Sequence, residues 1–124
     1  MKSHQDPRHL RRIKNMQSVF AHSSGNNDPS TPDAIQVITH LEKIDELISA
    51  HAPKWPIDKI NKVDLAVLRC SVWELEFQKT TPPKVIIDES VELAKEFGTD
   101  TSPSFINGVL GSIIKAHEQT ASTT

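Results

Sequence analysis

The chain contains 124 residues, of which 36% are hydrophobic, 5% are aromatic and 24% are charged. This length allows one compact domain, or two small bundles that share an interface, with a modest helical core. Its single cysteine, Cys70, excludes an intramolecular disulfide framework. The sequence contains no signal peptide and no apolar run near the roughly 18 residues that a membrane span requires, so we expect a soluble, cytoplasmic protein.

Basic residues are concentrated at the amino-terminal end of the chain, although the net charge is −2. The first 22 residues contain a single acidic side chain, Asp6, and five basic ones, which are Lys2, Arg8, Arg11, Arg12 and Lys14. The rest of the chain is therefore acidic. Clusters of Arg and Lys attract phosphate groups and accelerate association with nucleic acids. The pattern favours a nucleic-acid contact, and a solvated face without a partner is the alternative.

The hydrophobic periodicity predicts a first helix from about Arg8 to His22, after a polar segment, Met1 to Pro7, that we expect to be disordered. The basic side chains of this helix project towards solvent. The opposite side is apolar and comprises Leu10, Ile13, Met16 and Phe20.

A second helix is predicted to start at Thr31-Pro32-Asp33 and to run to about His51. The segment before it, Ser23 to Pro32, is a loop by composition. Thr31 is a typical N-cap residue, and proline suits the first helical turn that follows it. The apolar stripe of this helix leaves a solvent-exposed face that comprises Glu42, Lys43, Asp45 and Glu46.

The segment Trp55-Pro56-Ile57 predicts a short helix or turn that ends near Asn61. We expect Trp55 to cover the core between the two halves of the protein. A platform on which a base stacks is the alternative.

The most apolar helix is predicted from Val63 to Gln78, and a helix that is apolar around most of its circumference is buried centrally. Cys70 lies in this run, so we interpret it as a buried structural thiol. Arg69 then requires a carboxylate partner, because an unpaired buried charge costs several kcal/mol. The candidate partners are Glu74 and Glu89.

Two amphipathic helices are predicted at the end of the chain, from Pro82 to Gly98 and from Ser102 to His117. Proline suits the first turn of a helix, glycine suits the position just past its end, and Ser102 is the expected N-cap of the second helix. Lys84 lies in the first turn of its helix, where a cation is unfavourable unless an anion binds the free N–H groups there. A lysine that points away into solvent is the alternative.

One face of the last helix carries Asn107, Gly108, Gly111 and Ser112. Each interior glycine costs a helix about 1 kcal/mol relative to alanine. We therefore expect close packing on this face, against a neighbouring helix or, alternatively, against a ligand or partner.

No pattern in the sequence points to catalysis. The six histidines lack the spacing of metal ligands, and no second cysteine supports a zinc site. The phosphate-binding patterns GxxxxGK[ST] and GxGxxG are absent. We predict a protein that is not an enzyme and that uses no metal, cofactor or small-molecule substrate.

Three segments of the chain carry motifs of a known family. Residues 82–98 and 102–110, PPKVIIDESVELAKEFG and SPSFINGVL, are similar to VPxKVAINEAVELAKxFG and SxxFVNGVL. Residues 63–75, VDLAVLRCSVWEL, are similar to VDRAILRLALYEL, and residues 8–20 are similar to an Arg-rich first helix. These are motifs of the NusB family of bacterial transcription antitermination factors, which the chain resembles. Between these segments the chain is one or two helices shorter than is usual in the family.

The resemblance implies an all-α fold of about five to six helices in a single NusB-like domain over residues 1–124. Residues 8–52 would form a basic amino-terminal helical part, and residues 55–117 a carboxy-terminal bundle. The resemblance also implies an RNA-binding antitermination factor that binds boxA-type single-stranded RNA of nascent rRNA transcripts. Its expected partners are NusE, which is a ribosomal small-subunit protein, other Nus factors and RNA polymerase. We expect no contact with a membrane.

Family positions for RNA contact correspond to the Arg-rich start, Phe20, Lys84 and Phe105. Single-stranded RNA is commonly recognised by aromatic side chains that stack on splayed bases. Phe20 and Phe105 are also compatible with core positions by periodicity. The complete set of predicted contact residues, including two hydrogen-bonding side chains at the last helix, is Arg8, Arg11, Arg12, Lys14, Phe20, Lys84, Ser102, Phe105 and Asn107.

A protein-binding helical adaptor without intrinsic RNA affinity is the alternative function. The basic helix would then dock an acidic partner. The resemblance extends to the amino-terminal domain of certain ribosomal RNA cytosine methyltransferases, but this chain has no room for a methyltransferase domain.

Overall fold

The computed structural model describes residues 6–25 and 28–122. This part of the chain forms six α-helices and no strand, which confirms the predicted all-α fold of five to six helices. Residues 1–5 of the polar first segment lie outside the described residues. The helices are α1 (Pro7–Ser23), α2 (Pro32–Thr39), α3 (Leu41–His51), α4 (Lys62–Trp73), α5 (Pro83–Phe97) and α6 (Ser102–Ser122). A 3₁₀ turn spans Ile57–Lys59, and a π-helical turn at Glu74–Gln78 extends α4.

Helix α4 is the centre of the bundle. Every residue from Asp64 to Trp73 is buried, as its apolar circumference predicts, and the helix contacts all five other helices. Cys70 is buried as expected, and burial raises the pKa of its thiol. One hydrophobic core therefore joins residues from all six helices around α4.

Helix α1 begins at Pro7, and Asp6 is its N-cap. The Asp6 side chain accepts a 2.8 Å hydrogen bond from the backbone N–H of Arg8. Its apolar side packs against α4 and buries Met16 and Val19. His9 is also buried on this side of the helix. Because this face anchors the helix, the basic side chains of Arg8, Arg11 and Lys14 remain at the surface.

The prediction of one helix from the start at Thr31-Pro32-Asp33 to about His51 is wrong, because this segment forms two helices, α2 and α3. His40 leaves the helical conformation at φ −106° and ψ 20°. The Thr39 hydroxyl donates a 2.8 Å hydrogen bond to the carbonyl oxygen of Ile35, which is a local bond that competes with regular helix geometry. Ile35, part of the expected buried stripe, is 47% exposed.

The partner of Arg69 is Asp45 rather than Glu74 or Glu89. The Arg69 guanidinium donates two hydrogen bonds of 2.9 Å to the two oxygens of Asp45, which lies on α3. The expectation that Asp45 belongs to a solvated face is therefore wrong. Glu74 and Glu89 instead contact the side chains of α1.

Helices α5 and α6 meet at a tight turn that requires glycine. A Cβ atom at Gly98 would lie 2.5 Å from the Ser102 Oγ and 2.8 Å from the Ala94 carbonyl oxygen. Ser102 is the first residue of α6 rather than the N-cap that we expected, because the Thr101 carbonyl already accepts a helical bond from the Phe105 N–H at 3.1 Å. The Ser102 hydroxyl instead accepts a 2.9 Å hydrogen bond from the Thr99 backbone N–H.

The expected close packing is absent at the two glycines of α6. Outside the backbone of α6 itself, no atom of the described residues lies within 4 Å of a Cβ atom built at Gly108 or Gly111. The helix also extends to Ser122, beyond the predicted end at His117.

Candidate nucleic-acid interface

The first candidate surface is a groove of about 170 Å³ between α1 and the segment that follows α4. We call it the basic groove. Because α1 anchors on α4 through its apolar face, its cationic side chains reach the edge of the bundle here. The basic groove is lined by Arg8, Arg11, Arg12, Asn15, Asp33, Glu74, Gln78, Thr80 and Thr81.

Two of its arginines are exposed and only loosely paired. The side chain of Arg8 is 83% exposed and its Nε lies 3.5 Å from Asp6. The side chain of Arg11 is 67% exposed and its Nε lies 3.3 Å from Asp33. Exposed ion pairs of this kind contribute little stability. Both guanidinium groups are therefore able to turn towards a phosphate at small cost.

Arg12 differs from the two exposed arginines. Its side chain is only 15% exposed, and it donates hydrogen bonds from Nε and Nη2 to the two oxygens of Glu74. Burial disfavours the charged guanidinium and lowers the pKa of Arg12. The hydrogen bonds and charge of Glu74, together with the charges of Glu89 and Asp6, outweigh this effect, so the pKa is raised overall. The structure thus places this predicted contact residue in an internal ion pair.

Three other predicted contact residues lie outside the basic groove. Lys14 is exposed and lines an adjoining shallow groove with Leu10 and Pro32. Phe20 is half-buried and packs against the hydrophobic core. Lys84 is 88% exposed in the first turn of α5, and its Nζ lies 3.9 Å from Asp88.

The second candidate surface is a cleft of about 430 Å³ where the 3₁₀ turn, the start of α4 and the α5–α6 turn meet. We call it the aromatic cleft. Trp55 is 52% exposed and Phe105 is half-buried, so both aromatic side chains are accessible from the cleft. The expectation that Trp55 covers the core is wrong. The cleft is lined by Trp55, Lys59, Ile60, Asn61, Asp64, Thr99, Thr101 and Phe105.

The aromatic cleft contains a buried carboxyl group, that of Asp64. This residue is 5% exposed, and its Oδ1 atom has no hydrogen-bond partner among the described residues. Burial raises the pKa of Asp64, and a hydrogen bond from Ser102 opposes that shift. Ser102 is fully buried, so it supports Asp64 and the Thr99 backbone rather than facing solvent. Asn107, predicted beside it, is exposed on α6.

Several important residues were not found by sequence reasoning. Asp64 looks like an ordinary acidic residue in the first turn of a helix, where the dipole favours it. His9 looks like one more polar residue on α1, yet its two ring nitrogens each lie 3.2 Å from a carboxylate oxygen, of Glu89 and of Glu96. No sequence signal identifies these residues, because their partners are far away along the chain.

Residues 6–25 and 28–122 contain no group of three or more His, Cys, Asp or Glu side chains that could hold a metal ion. Within the same ranges, no helix combines the length and apolar character that crossing a membrane requires.

The fold and these surfaces define a six-helix bundle protein with a cationic groove and an aromatic cleft. The chain belongs to the NusB family, because the sequence model of that family matches residues 21–115. This match confirms the resemblance that the motifs indicate. It is 32% identical to T. maritima NusB, with a TM-score of 0.75 and 93% of each chain covered.

Two other solved structures are similar. A chain in the structure of a plectonemic RNA supercoil is 26% identical, with a TM-score of 0.78, and the match covers 89% of this chain and 95% of that chain. A chain in the crystal structure of antitermination factors NusB and NusE in complex with dsRNA is 25% identical, with a TM-score of 0.68. That match covers 90% of this chain and 99% of that one.

Proposed function

We propose that this protein is an RNA-binding transcription antitermination factor. It binds boxA-type single-stranded RNA of nascent rRNA transcripts together with NusE, in assemblies with other Nus factors and RNA polymerase. Membership of the NusB family supports the proposal, as does the similarity to a structure that contains NusB, NusE and RNA.

The observation that carries the proposal is the pair of exposed arginines, Arg8 and Arg11, in the basic groove. A guanidinium group donates two parallel hydrogen bonds to phosphate oxygens, and its exposed position makes the exchange of Asp6 or Asp33 for phosphate inexpensive. Exposed Lys14 adds charge on the same helix, and exposed Lys84 adds charge at the start of α5. Arg12 acts as a positioning residue that holds α1 against the end of α4.

The two candidate surfaces form parts of one RNA path. The basic groove includes residues that follow α4, whereas the aromatic cleft includes residues at the start of α4. The 12 residues of α4 separate them by about 18 Å at 1.5 Å per residue. A flexible single strand is able to bridge that distance, with phosphates in the basic groove and a base on Phe105.

The test is a fluorescence-anisotropy titration of a boxA-like RNA and a scrambled RNA, with and without NusE, at several salt concentrations. We expect preferential binding that tightens with NusE. Each phosphate contact contributes a slope of about −0.7 in log affinity against log salt on a single strand.

The variant Arg8→Ala/Arg11→Ala should weaken RNA binding and reduce this slope by about 1.4. The matched control is Lys43→Ala/Lys115→Ala, which removes two exposed charges from other helices and should leave the slope unchanged. If a folded wild-type protein binds neither RNA in any condition, the proposal fails and the protein-binding adaptor becomes the better function.

A further inference from the structure

The aromatic cleft has a chemical character that phosphate attraction does not explain. We propose that it binds one splayed nucleobase that carries an exocyclic amino group, adenine or cytosine, between Trp55 and Phe105. The amino group would donate a hydrogen bond to the carboxylate of Asp64. This inference rests on the proposed RNA-binding function and deepens it. It adds Trp55 and Asp64, which neither the motifs nor the comparisons identify, to the expected contact at Phe105, and it assigns base selectivity to Asp64.

The size and walls of the aromatic cleft suit a planar heterocycle. Its volume of about 430 Å³ lies within the usual range of small-ligand sites, roughly 300–1,000 Å³. Trp55 is 52% exposed, so much of its apolar ring surface is open to solvent. The second tryptophan, Trp73, is only 8% exposed. A base that stacks on Trp55 and Phe105 would cover apolar surface that the fold leaves open.

Asp64 supplies the selectivity. Its carboxylate accepts hydrogen bonds and donates none, and its Oδ1 has no partner among the described residues. The amino group of cytosine or adenine donates to such an acceptor. A carbonyl oxygen at the same ring position, as in uracil or hypoxanthine, would face the lone pairs of the carboxylate and leave Asp64 without a hydrogen bond. The affinity for such a base would therefore be lower.

The groups around Asp64 are consistent with this role. Ser102 stabilises the carboxylate from the protein side, and Asn61 is occupied as the N-cap of α4, where it accepts from the Val63 N–H at 2.8 Å. Lys59 is exposed and lines the same cleft, where it is able to contact the phosphate of the bound nucleotide. A base therefore meets an aromatic wall, an acceptor and a cation in one cleft.

The test is a two-dimensional ¹H–¹⁵N NMR titration of the full chain with cytidine, uridine, adenosine and inosine 5′-monophosphates. The indole N–H signal of Trp55 reports the cleft, and that of buried Trp73 is the internal reference. We expect Trp55 to shift with all four nucleotides, and cytidine and adenosine monophosphates to bind roughly five- to tenfold more tightly than their oxo counterparts, as one hydrogen bond provides.

Substitutions separate the roles of the three residues. Asp64→Asn should equalise the four affinities, because an amide both donates and accepts. Trp55→Ala should weaken all four. Asp58→Asn removes an exposed carboxylate from the adjacent 3₁₀ turn, outside the cleft lining, and should change nothing. Should Asp64→Asn fail to fold, the wild-type preference measured at falling pH replaces it, and protonation of Asp64 should abolish the preference.

The outcomes distinguish the inference from the function on which it rests. Salt-dependent boxA binding with an unmoved Trp55 signal, or with equal affinities for amino and oxo bases, overturns the cleft assignment and leaves the proposed function intact. Selective nucleotide binding at Trp55 without boxA binding supports the cleft and overturns the choice of RNA.

Discussion

Arg12 of α1 and Glu74 at the end of α4 form a two-point ion pair, with Nε 3.1 Å from Oε2 and Nη2 2.9 Å from Oε1. Both side chains are largely enclosed, at 15% and 13% exposure. The pair fixes the rotation of α1 about its axis. Arg8 and Arg11, which lie four residues and one residue before Arg12, consequently remain at the surface of the basic groove.

The first prediction concerns this pair. Arg12→Ala should destabilise the fold by roughly 3 kcal/mol, because it leaves Glu74 enclosed without its partner. The double variant Arg12→Met/Glu74→Leu should recover most of that loss, since apolar replacement of both partners removes the unpaired charge. Urea unfolding followed by circular dichroism measures both changes. Equal stability of Arg12→Ala and the wild type would show that the ion pair does not anchor α1.

The second prediction concerns Arg69 and Asp45, which join α4 to α3. Asp45→Ala should cost about 3 kcal/mol, because it leaves the Arg69 guanidinium, 9% exposed, without a carboxylate. Glu42→Ala is the control, since it removes an exposed acidic residue from the same helix and should change stability by less than about 0.5 kcal/mol. Thermal unfolding of the two variants checks the difference, and similar losses in both would contradict the assigned pairing.

The third prediction concerns the pH dependence of stability at Asp64. Burial raises the pKa of this carboxyl above its ordinary value of 3.8, so the folded state holds the proton more tightly than the unfolded state. The ionised group therefore opposes folding at neutral pH, and this penalty disappears as the pH falls through the raised pKa towards the ordinary value.

Asp64→Asn should accordingly stabilise the protein at neutral pH, because the neutral amide avoids the cost of burying a charge. The gain over the wild type should shrink near pH 4. Urea midpoints at the two pH values measure the effect, with Asp58→Asn as the exposed control. A difference that stays constant with pH would contradict the assignment.

The fourth prediction compares two glycines. Gly98→Ala should destabilise the protein by about 1–3 kcal/mol, because its Cβ would clash with Ser102 and with the Ala94 carbonyl. Gly108→Ala should stabilise it by up to about 1 kcal/mol, because a Cβ there meets open space in a helix interior. Thermal unfolding distinguishes them. A destabilised Gly108→Ala variant would mean that the face of α6 is not open in solution.

Much of the fold was predictable because its determinants are local. The apolar circumference of α4 requires a central position, and Pro83 and Gly98 delimit α5 as their chemistry predicts. The division at His40 was not predictable from periodicity. The apolar residues on both sides continue one helical pattern, whereas the backbone at His40 departs from it.

The candidate site was predictable only in part. The clustered arginines and Phe105 were visible in the sequence, but their environments were not. The same helix carries Arg8 and Arg11 exposed and Arg12 enclosed, and this difference depends on Glu74, 62 positions away.

The sequence by itself determined the helical class, the central helix, the basic first helix and the need of Arg69 for a carboxylate, since these follow from composition, periodicity and the cost of a buried charge. Only the tertiary structure decided which carboxylate pairs with each arginine and that Trp55, Asp64 and Phe105 share one cleft. The physical reason is that ion pairs and clefts depend on which helix faces meet in space, and residues distant along the chain determine that packing.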